Sequence, residues 1–287
     1  AAWGAMVRQV RNIGRPGLAA TAIAAVDVAL WDLKAKLLGL PLCDLLGRVR
    51  DGVVVYGSGG FTSYDAARLR SQLGGWVEQG IGRIKMKVGR DPEADLERVR
   101  IAREAIGEGA ELFVDANGAY DRKQALTFAH AFADYGVTWF EEPVGADDLE
   151  GLRLIRDRAP AGMEIAVGEY GYDPRDLRRI LEAGAVDVLQ ADATRCLGIT
   201  GCLNAAAVCA AHDLPLSAHT APAVHLHPCL AAPPVRHLEY FHDHVRIERM
   251  LFDGATAPES GVLHPDLSRP GLGLEFKFAD AAPFRVR

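Results

Sequence analysis

Leu112-Phe113-Val114-Asp115, Thr138-Trp139-Phe140-Glu141 and Ile165-Ala166-Val167-Gly168-Glu169 are three short apolar runs, each closed by an acidic residue. Runs of this length, rich in aromatic and aliphatic side chains, read as strands buried on both faces, as in a parallel sheet. Amphipathic stretches of helical period separate them. Worked outward from Asp51, the same alternation gives strands at Val53–Tyr56, Arg83–Val88, Leu112–Val114, Val137–Phe140, Glu164–Val167, Val186–Leu189 and Leu214–Ser217, with a weaker eighth at His237–Tyr240. Eight strands alternating with helices predict an α/β fold closed into a barrel.

The helices carry their own punctuation. Asp91-Pro92 and Asp173-Pro174 place an N-cap carboxylate before a proline, and Gly107, Gly136 and Gly184 end helices. Leu96, Val99, Ala102 and Ile106 share one face, which is expected to pack on the sheet. Residues 1–50 differ: a helical run through Ile23, Val26, Leu30, Leu33 and Leu37 stops at Gly39 and Pro41 and reads as part of a separate cap. The expected division is a helical cap remnant at 1–50, the barrel at 51–250, and a Pro- and Gly-rich segment at 251–287 that returns to the cap.

Composition narrows the function classes. The 287 residues are 49% hydrophobic and 24% charged, proportions of a globular protein rather than a disordered one. Net charge is −6 with no basic stripe, which argues against nucleic acid as a partner. The most apolar opening segment, Gly17 to Gly39, is interrupted by Asp27, Asp32, Lys34 and Lys36, so no membrane span or signal peptide is expected. Five scattered cysteines without a CxxC pair suggest neither a disulfide framework nor a zinc site and fit a reducing cytoplasm. The chain starts Ala-Ala-Trp rather than with Met, so a preceding piece is expected to lie outside it.

In a (β/α) barrel the chemistry collects at the C-terminal strand ends. Asp115, Glu141 and Glu169 close three successive strands. A single acid there often caps the next helix, but three converging on one mouth repel each other unless a hard divalent cation lies among them. The all-oxygen set points to Mg²⁺. Lys85 and Lys87 alternate with Met86 and share a face of the second strand, so both ammonium groups are expected at the mouth, each lowering the other's pKa until one serves as a base. Asp192 and His219 follow the sixth and seventh strands and can pair, the carboxylate fixing the imidazole tautomer. Glu239 ends the eighth strand as an acid or hydrogen-bond donor. His225, His227, His242 and His244 form no organised ligand spacing and are not read as ligands.

Taken in order, Ala24-Ala25-Val26-Asp27-Val28-Ala29-Leu30-Trp31-Asp32, Lys85-Met86-Lys87, Asp115-Ala116-Asn117, Phe140-Glu141-Glu142-Pro143, Gly168-Glu169, and Asp192 with His219 resemble the enolase superfamily, in its mandelate-racemase-like branch, over nearly the whole chain. The resemblance implies a (β/α)₇β TIM-like barrel under a partial α+β capping domain built from both chain ends. It implies Mg²⁺ on Asp115, Glu141 and Glu169, with Glu142 behind them. It further implies a small-molecule carboxylate substrate whose α-proton is removed to give a metal-stabilised enediolate. Lys87 would serve one face of that carbon and His219 the other. Lys85 would tune Lys87, Asp192 would orient His219, and Glu239 matches the branch's acid on the eighth strand. Asn117 and Arg195 are further candidate contacts.

The muconate-lactonizing branch shares the KxK motif but is expected to place a lysine on the sixth strand, where this chain has Asp192-Ala193-Thr194-Arg195. Two departures from the resembled pattern stand out: Ala191 replaces a frequent proline, and Leu197-Gly198 a frequent double glycine. The expected reaction is dehydration of an aldonate or aldarate to a 2-keto-3-deoxy acid. Racemisation or epimerisation of an α-hydroxy acid is the alternative, and a non-catalytic barrel with a structural or binding role is a third. A symmetric homo-oligomer is expected. The cap's N-terminal loops, which set specificity in the family resembled, are expected to lie outside the chain.

Overall fold

A computed structural model describes residues 2–286. Three helices come first: α1 (Ala2–Gln9), α2 (Leu18–Leu38) and α3 (Leu42–Leu46). α2 stops at Gly39, whose left-handed backbone turns its N–H back onto the carbonyls of Ala35 and Lys36. Its buried face is Ala20, Ile23, Ala24, Asp27 and Ala35, whereas Val26, Leu30, Leu33 and Leu37 are exposed. Of the large apolar residues that mark the helical period, only Ile23 is therefore buried. Small residues instead let the helix approach the barrel closely.

The barrel follows as β1 (Val53–Gly59), α4 (Ala66–Glu78), β2 (Arg83–Lys87), α5 (Pro92–Ile106), β3 (Glu111–Asp115), α6 (Arg122–Ala133), β4 (Val137–Glu141) and α7 (Leu149–Arg158). It continues with β5 (Glu164–Val167), α8 (Pro174–Glu182), β6 (Val188–Ala191), α9 (Gly198–Ala211), β7 (Leu216–Ala218), α10 (Pro222–Ala231), β8 (Val235–Phe241) and α11 (His242–Leu251). Neighbouring strands pair in parallel, and β8 pairs back onto β1, so the sheet closes.

Register decides what meets at the rim. Lys87 lies opposite Asp115, and Asp115 opposite Glu141, so three strand ends finish at one height. Ala191 lies opposite Ala218, which puts Asp192 and His219 side by side one residue later. Below them Tyr56, Phe113, Trp139, Ala166 and Val188 fill the barrel interior, while alternate residues such as Ile84, Met86, Val114 and Phe140 pack outward on the helices.

Two local expectations change. Leu96 is exposed and Asp95 is buried in its place, accepting hydrogen bonds from Gly89 N (2.8 Å) and Tyr120 Oη (2.5 Å). Asp173 caps its helix through Arg175 N, but the Asp91 side chain makes no such bond. The C-terminal segment is more regular than its composition suggests. β9 (Phe252–Asp253) pairs with β11 (Glu275–Phe276), and β10 (Val262–Leu263) adds antiparallel to the start of β1. The chain then reaches the cap helices, where Asp32 accepts from Leu272 N at 2.8 Å and Pro41 bridges Gly271. It ends with α12 (Phe278–Ala281) and a 3₁₀ turn (Ala282–Phe284). Among the described residues no helix is long and apolar enough to cross a membrane.

Candidate active site

Asp115 and Glu141 are the last residues of β3 and β4, and Glu169 follows β5 after Gly168. Each offers a carboxylate oxygen, and these atoms all lie within 4.8 Å of one another. All three residues are buried. Burial and the nearby charge of Asp115 push the Glu141 carboxyl up, which is the signature of anions crowded without enough positive charge between them. Oxygen donors that close together fit a hard divalent cation.

The remaining charge is answered by the protein's own cations. Lys85 Nζ lies 2.7 Å from both Glu141 oxygens, 2.8 Å from Glu239 Oε1 and 3.6 Å from Asp115 Oδ2. Lys87 Nζ bonds Asp115 Oδ2. Burial acts to lower the pKa of both lysines, but the carboxylates outweigh it and hold both above the ordinary lysine value. The mutual lowering expected between the two lysines does operate on Lys87, and Asp115 overrides it.

Across the mouth, His219 Nδ1 bonds Asp192 Oδ2 at 2.9 Å, and its Nε2 lies 2.9 Å from Glu169 Oε2 and 3.7 Å from Glu239 Oε2. Burial works against the imidazolium, but bonds to Asp192 and Glu169 raise His219 to about 10. Burial likewise opposes ionisation of Glu169, yet His219 takes it down to about 2. Asp192 Oδ1 accepts from Thr194 N and Oγ1, both at 2.7 Å, so the pair is fixed from behind. Glu239 Oε2 accepts from Thr220 N at 3.0 Å.

Arg195 reaches inward: its guanidinium is 3.2 Å from the Glu169 carbonyl, 3.4 Å from Glu169 Oε1 and 3.4 Å from Asp192 Oδ2. Asn117 N donates to Asp115 Oδ1 at 2.8 Å. Asn117 and Glu142 line a cavity of about 590 Å³ that runs toward α8, past Tyr170 and Arg179. Glu142 is buried there with Oε1 unpartnered, and burial followed by the charge of Glu169 pushes its carboxyl up to about 9. Lys87 opens instead on a shallower depression of about 390 Å³ with Phe61, Thr62, Arg90 and Asn117.

Nine of the eleven candidate residues lie at the C-terminal rim; Lys85 and Glu239, each two residues short of its strand end, lie just inside it, so Glu239 does not close β8 as expected. Several supports went unread in the sequence. Trp139 Nε1 donates to Glu141 Oε2 at 3.1 Å from two residues back on the same strand, a contact that the period-2 alternation would allow one to find. His225 bonds Ala193 N (2.7 Å) and the Ala221 carbonyl (3.1 Å), while His227 bonds Cys43 N (3.1 Å) and the Leu272 carbonyl (3.2 Å). Both ring nitrogens of each are in use within the protein.

A closed parallel barrel with acids ending its third, fourth and fifth strands, a lysine ending the second and a histidine following the seventh is a metal-dependent barrel of the enolase type. Comparison with known proteins agrees. The family "Enolase C-terminal domain-like" matches residues 68–281, and "Mandelate racemase / muconate lactonizing enzyme, N-terminal domain" matches 1–47. The chain belongs to the mandelate racemase/muconate lactonizing enzyme family of the enolase superfamily.

Among solved structures, a mandelate racemase/muconate lactonizing enzyme-like protein from Rubrobacter xylanophilus superposes with TM-score 0.96 at 60% identity, covering 98% of this chain and 78% of that one. L-talarate dehydratase from Polaromonas sp. JS666, complexed with Mg and L-glucarate, does so with TM-score 0.88 at 35% identity, covering 98% and 77%. The L-talarate/galactarate dehydratase of Salmonella typhimurium is 39% identical over 80% of this chain, which spans only 58% of that enzyme's length. D-galactarolactone cycloisomerase of Agrobacterium fabrum is 31% identical over 99% of this chain and 79% of its own. Mg is bound in that Polaromonas structure and in a racemase from Streptomyces coelicolor, and Asp115, Glu141 and Glu169 are the residues of this chain whose geometry suits such an ion.

Proposed function

We propose that the chain dehydrates a sugar acid, an aldonate or aldarate, to a 2-keto-3-deoxy acid. The observation that carries the reading is the placement of Lys87 and His219 on opposite sides of the carboxylate triad, with His219 Nδ1 bonded to Asp192 at 2.9 Å. Several relatives are dehydratases of such acids, which supports the substrate class.

Asp115, Glu141 and Glu169 would hold Mg²⁺, which would supply positive charge beside a substrate carboxylate and so acidify the neighbouring C–H. A cation on Asp115 would offset the charge that holds the Lys87 ammonium, and Lys87, then as the free amine, takes the α-proton while the electron pair passes into the carboxylate to leave an enediolate. His219, as the imidazolium, donates its Nε2 proton to the β-hydroxyl as the C–O bond breaks, and water leaves. The resulting enol becomes the 2-keto acid. Asp192 holds the imidazole with Nε2 toward the mouth and stabilises its charge. Lys85 keeps Glu239 ionised and holds Glu141 in place, Arg195 contacts the substrate, and Asn117 and Glu142 bind water beside the carboxylate triad.

The test is incubation with Mg²⁺ and a library of aldonates and aldarates, read by keto-acid formation. Turnover of at least one acid with loss of water is expected. Deuterium entering the α-carbon of recovered substrate without loss of water would favour racemisation or epimerisation instead. The cycloisomerases among the relatives add a ring-opening outcome, on a lactone or an anhydro acid, read as a new acid without a net change in composition. Inertness toward every compound would leave a binding or structural barrel.

A further inference from the structure

α9 lacks a capping side chain of its own. Its N-cap is Leu197, held at φ 71°, where Ser, Thr, Asp or Asn is usual. A helix start without acceptors leaves N–H groups unpaired and concentrates partial positive charge. The acceptor arrives from the other domain. Asp27 of α2 is 3% exposed; its Oδ2 accepts from Thr200 N at 2.9 Å and its Oδ1 from Thr200 Oγ1 at 2.8 Å. Trp31 Nε1 donates to the same Thr200 hydroxyl at 2.9 Å, and Trp3 Nε1 to the Leu197 carbonyl at 2.8 Å. Gly198, at φ 90°, makes room, since a Cβ there would meet Asp27 atoms at 2.4–2.7 Å.

The segment clamped in this way is the one that carries Asp192. Between Asp192 and Leu197 the chain makes one tight turn, in which the Asp192 carbonyl accepts from Arg195 N (2.9 Å) and Cys196 N (2.7 Å). This turn joins the start of α9 directly to the carboxylate that holds His219.

We propose that Asp27 is a positioning residue: the cap helix supplies, from far away in the same chain, the capping carboxylate of α9 and so fixes, through the 192–197 turn, the angle at which Asp192 meets His219 Nδ1. The consequence for turnover rests on the reading of His219 as a proton carrier. The geometric claim does not.

The test compares Asp27→Ala with the wild-type chain by three readouts. Amide hydrogen exchange across residues 189–203 is expected to accelerate at least tenfold, with strands β2 and β3 unchanged. In the ¹⁵N-histidine spectrum the His219 signals, assigned from His219→Asn, are expected to shift, while those of His237 at the base of the barrel stay. With an acid that the wild type dehydrates, kcat is expected to fall about 10–100-fold, the range for a group that orients a reacting side chain, with KM within about threefold. Unchanged exchange and unchanged His219 signals in a folded Asp27→Ala chain overturn the proposal. If that variant does not fold, Asp27→Ser keeps a polar group on α2 that is too short to reach Thr200 N. The same shifts are then expected, and wild-type exchange and His219 signals in a folded Asp27→Ser chain overturn the proposal. Failure of the wild type to dehydrate any acid defeats the functional reading and leaves the first two readouts to decide this one.

Discussion

The ammonium of Lys85 lies 2.7 Å from both carboxylate oxygens of Glu141 and 2.8 Å from Glu239 Oε1, with no exposure to solvent. One buried cation thus links the fourth and eighth strands and offsets an acid from each. Deleting one partner of such a cluster costs more than the cluster contributes, because the remaining charges stay desolvated and unmatched. Lys85→Met is expected to destabilise the metal-free chain by about 3–5 kcal/mol in urea denaturation. A loss under about 1 kcal/mol would show that solvent or neighbouring protons satisfy the acids.

Metal dependence separates the triad from an ordinary acidic patch. Mg²⁺ at about 100 times its Kd is expected to stabilise the wild type by about 2.7 kcal/mol through mass action. Glu141→Gln and Asp115→Asn are expected to lose that stabilisation. An equal rise in melting temperature in wild type and variants would place the ion elsewhere.

The two proposed proton carriers are expected to fail without loss of metal. Lys87→Ala and His219→Asn are each expected to lower kcat by about 10²–10⁴, the usual contribution of a positioned acid or base. Mg²⁺ titration calorimetry should return binding no weaker than wild type, since neither residue supplies a ligand oxygen. Near-normal turnover by either variant contradicts the two-sided reading.

Glu248 gives a pH effect away from the metal site. It accepts from Ala223 N at 3.2 Å at the start of α10, and burial raises its carboxyl from 4.5 to about 7. Between those pH values the folded chain keeps a proton that the unfolded chain releases, so this group costs stability progressively as pH rises from 4.5 to 7, and fully above 7. Glu248→Gln is therefore expected to melt several degrees above wild type at pH 8.5 and level with it near pH 4.5. The same difference at both pH values would assign the effect to packing.

Gly168 sets the approach of Glu169. Its φ is 145°, and a Cβ there would lie 2.0 Å from the backbone carbonyl of Gln190 on β6. Backbone cannot yield as a flexible side chain does, so Gly168→Ala is expected to cost about 1–3 kcal/mol, as overpacking does. It is also expected to weaken Mg²⁺ binding in titration calorimetry. Wild-type affinity in a folded variant would show that the Glu169 carboxylate recovers its place.

The strand count and the acids that close the third, fourth and fifth strands were legible in one dimension, because a β-strand alternates its faces and a barrel gathers its strand ends at one mouth. Leu112-Phe113-Val114-Asp115 and Thr138-Trp139-Phe140-Glu141 announce both facts locally. Asp192 and His219 could be offered as partners for the same reason. The sequence could not say that Leu96 turns out and Asp95 in, since helical period alone does not tell which of two adjacent residues faces a groove that takes a tyrosine hydroxyl. Nor could it show that Val26, Leu30, Leu33 and Leu37 face away from the barrel while Asp27 faces it. Register and chain crossing decided those matters: closure of β8 on β1 set which charges share Lys85, and the packing of α2 on α9 brought Asp27 to Thr200 across 173 residues. Local periodicity determined the elements and the kind of chemistry at their ends. The partner of each buried charge is a long-range pairing, fixed only when the chain folds and water is excluded.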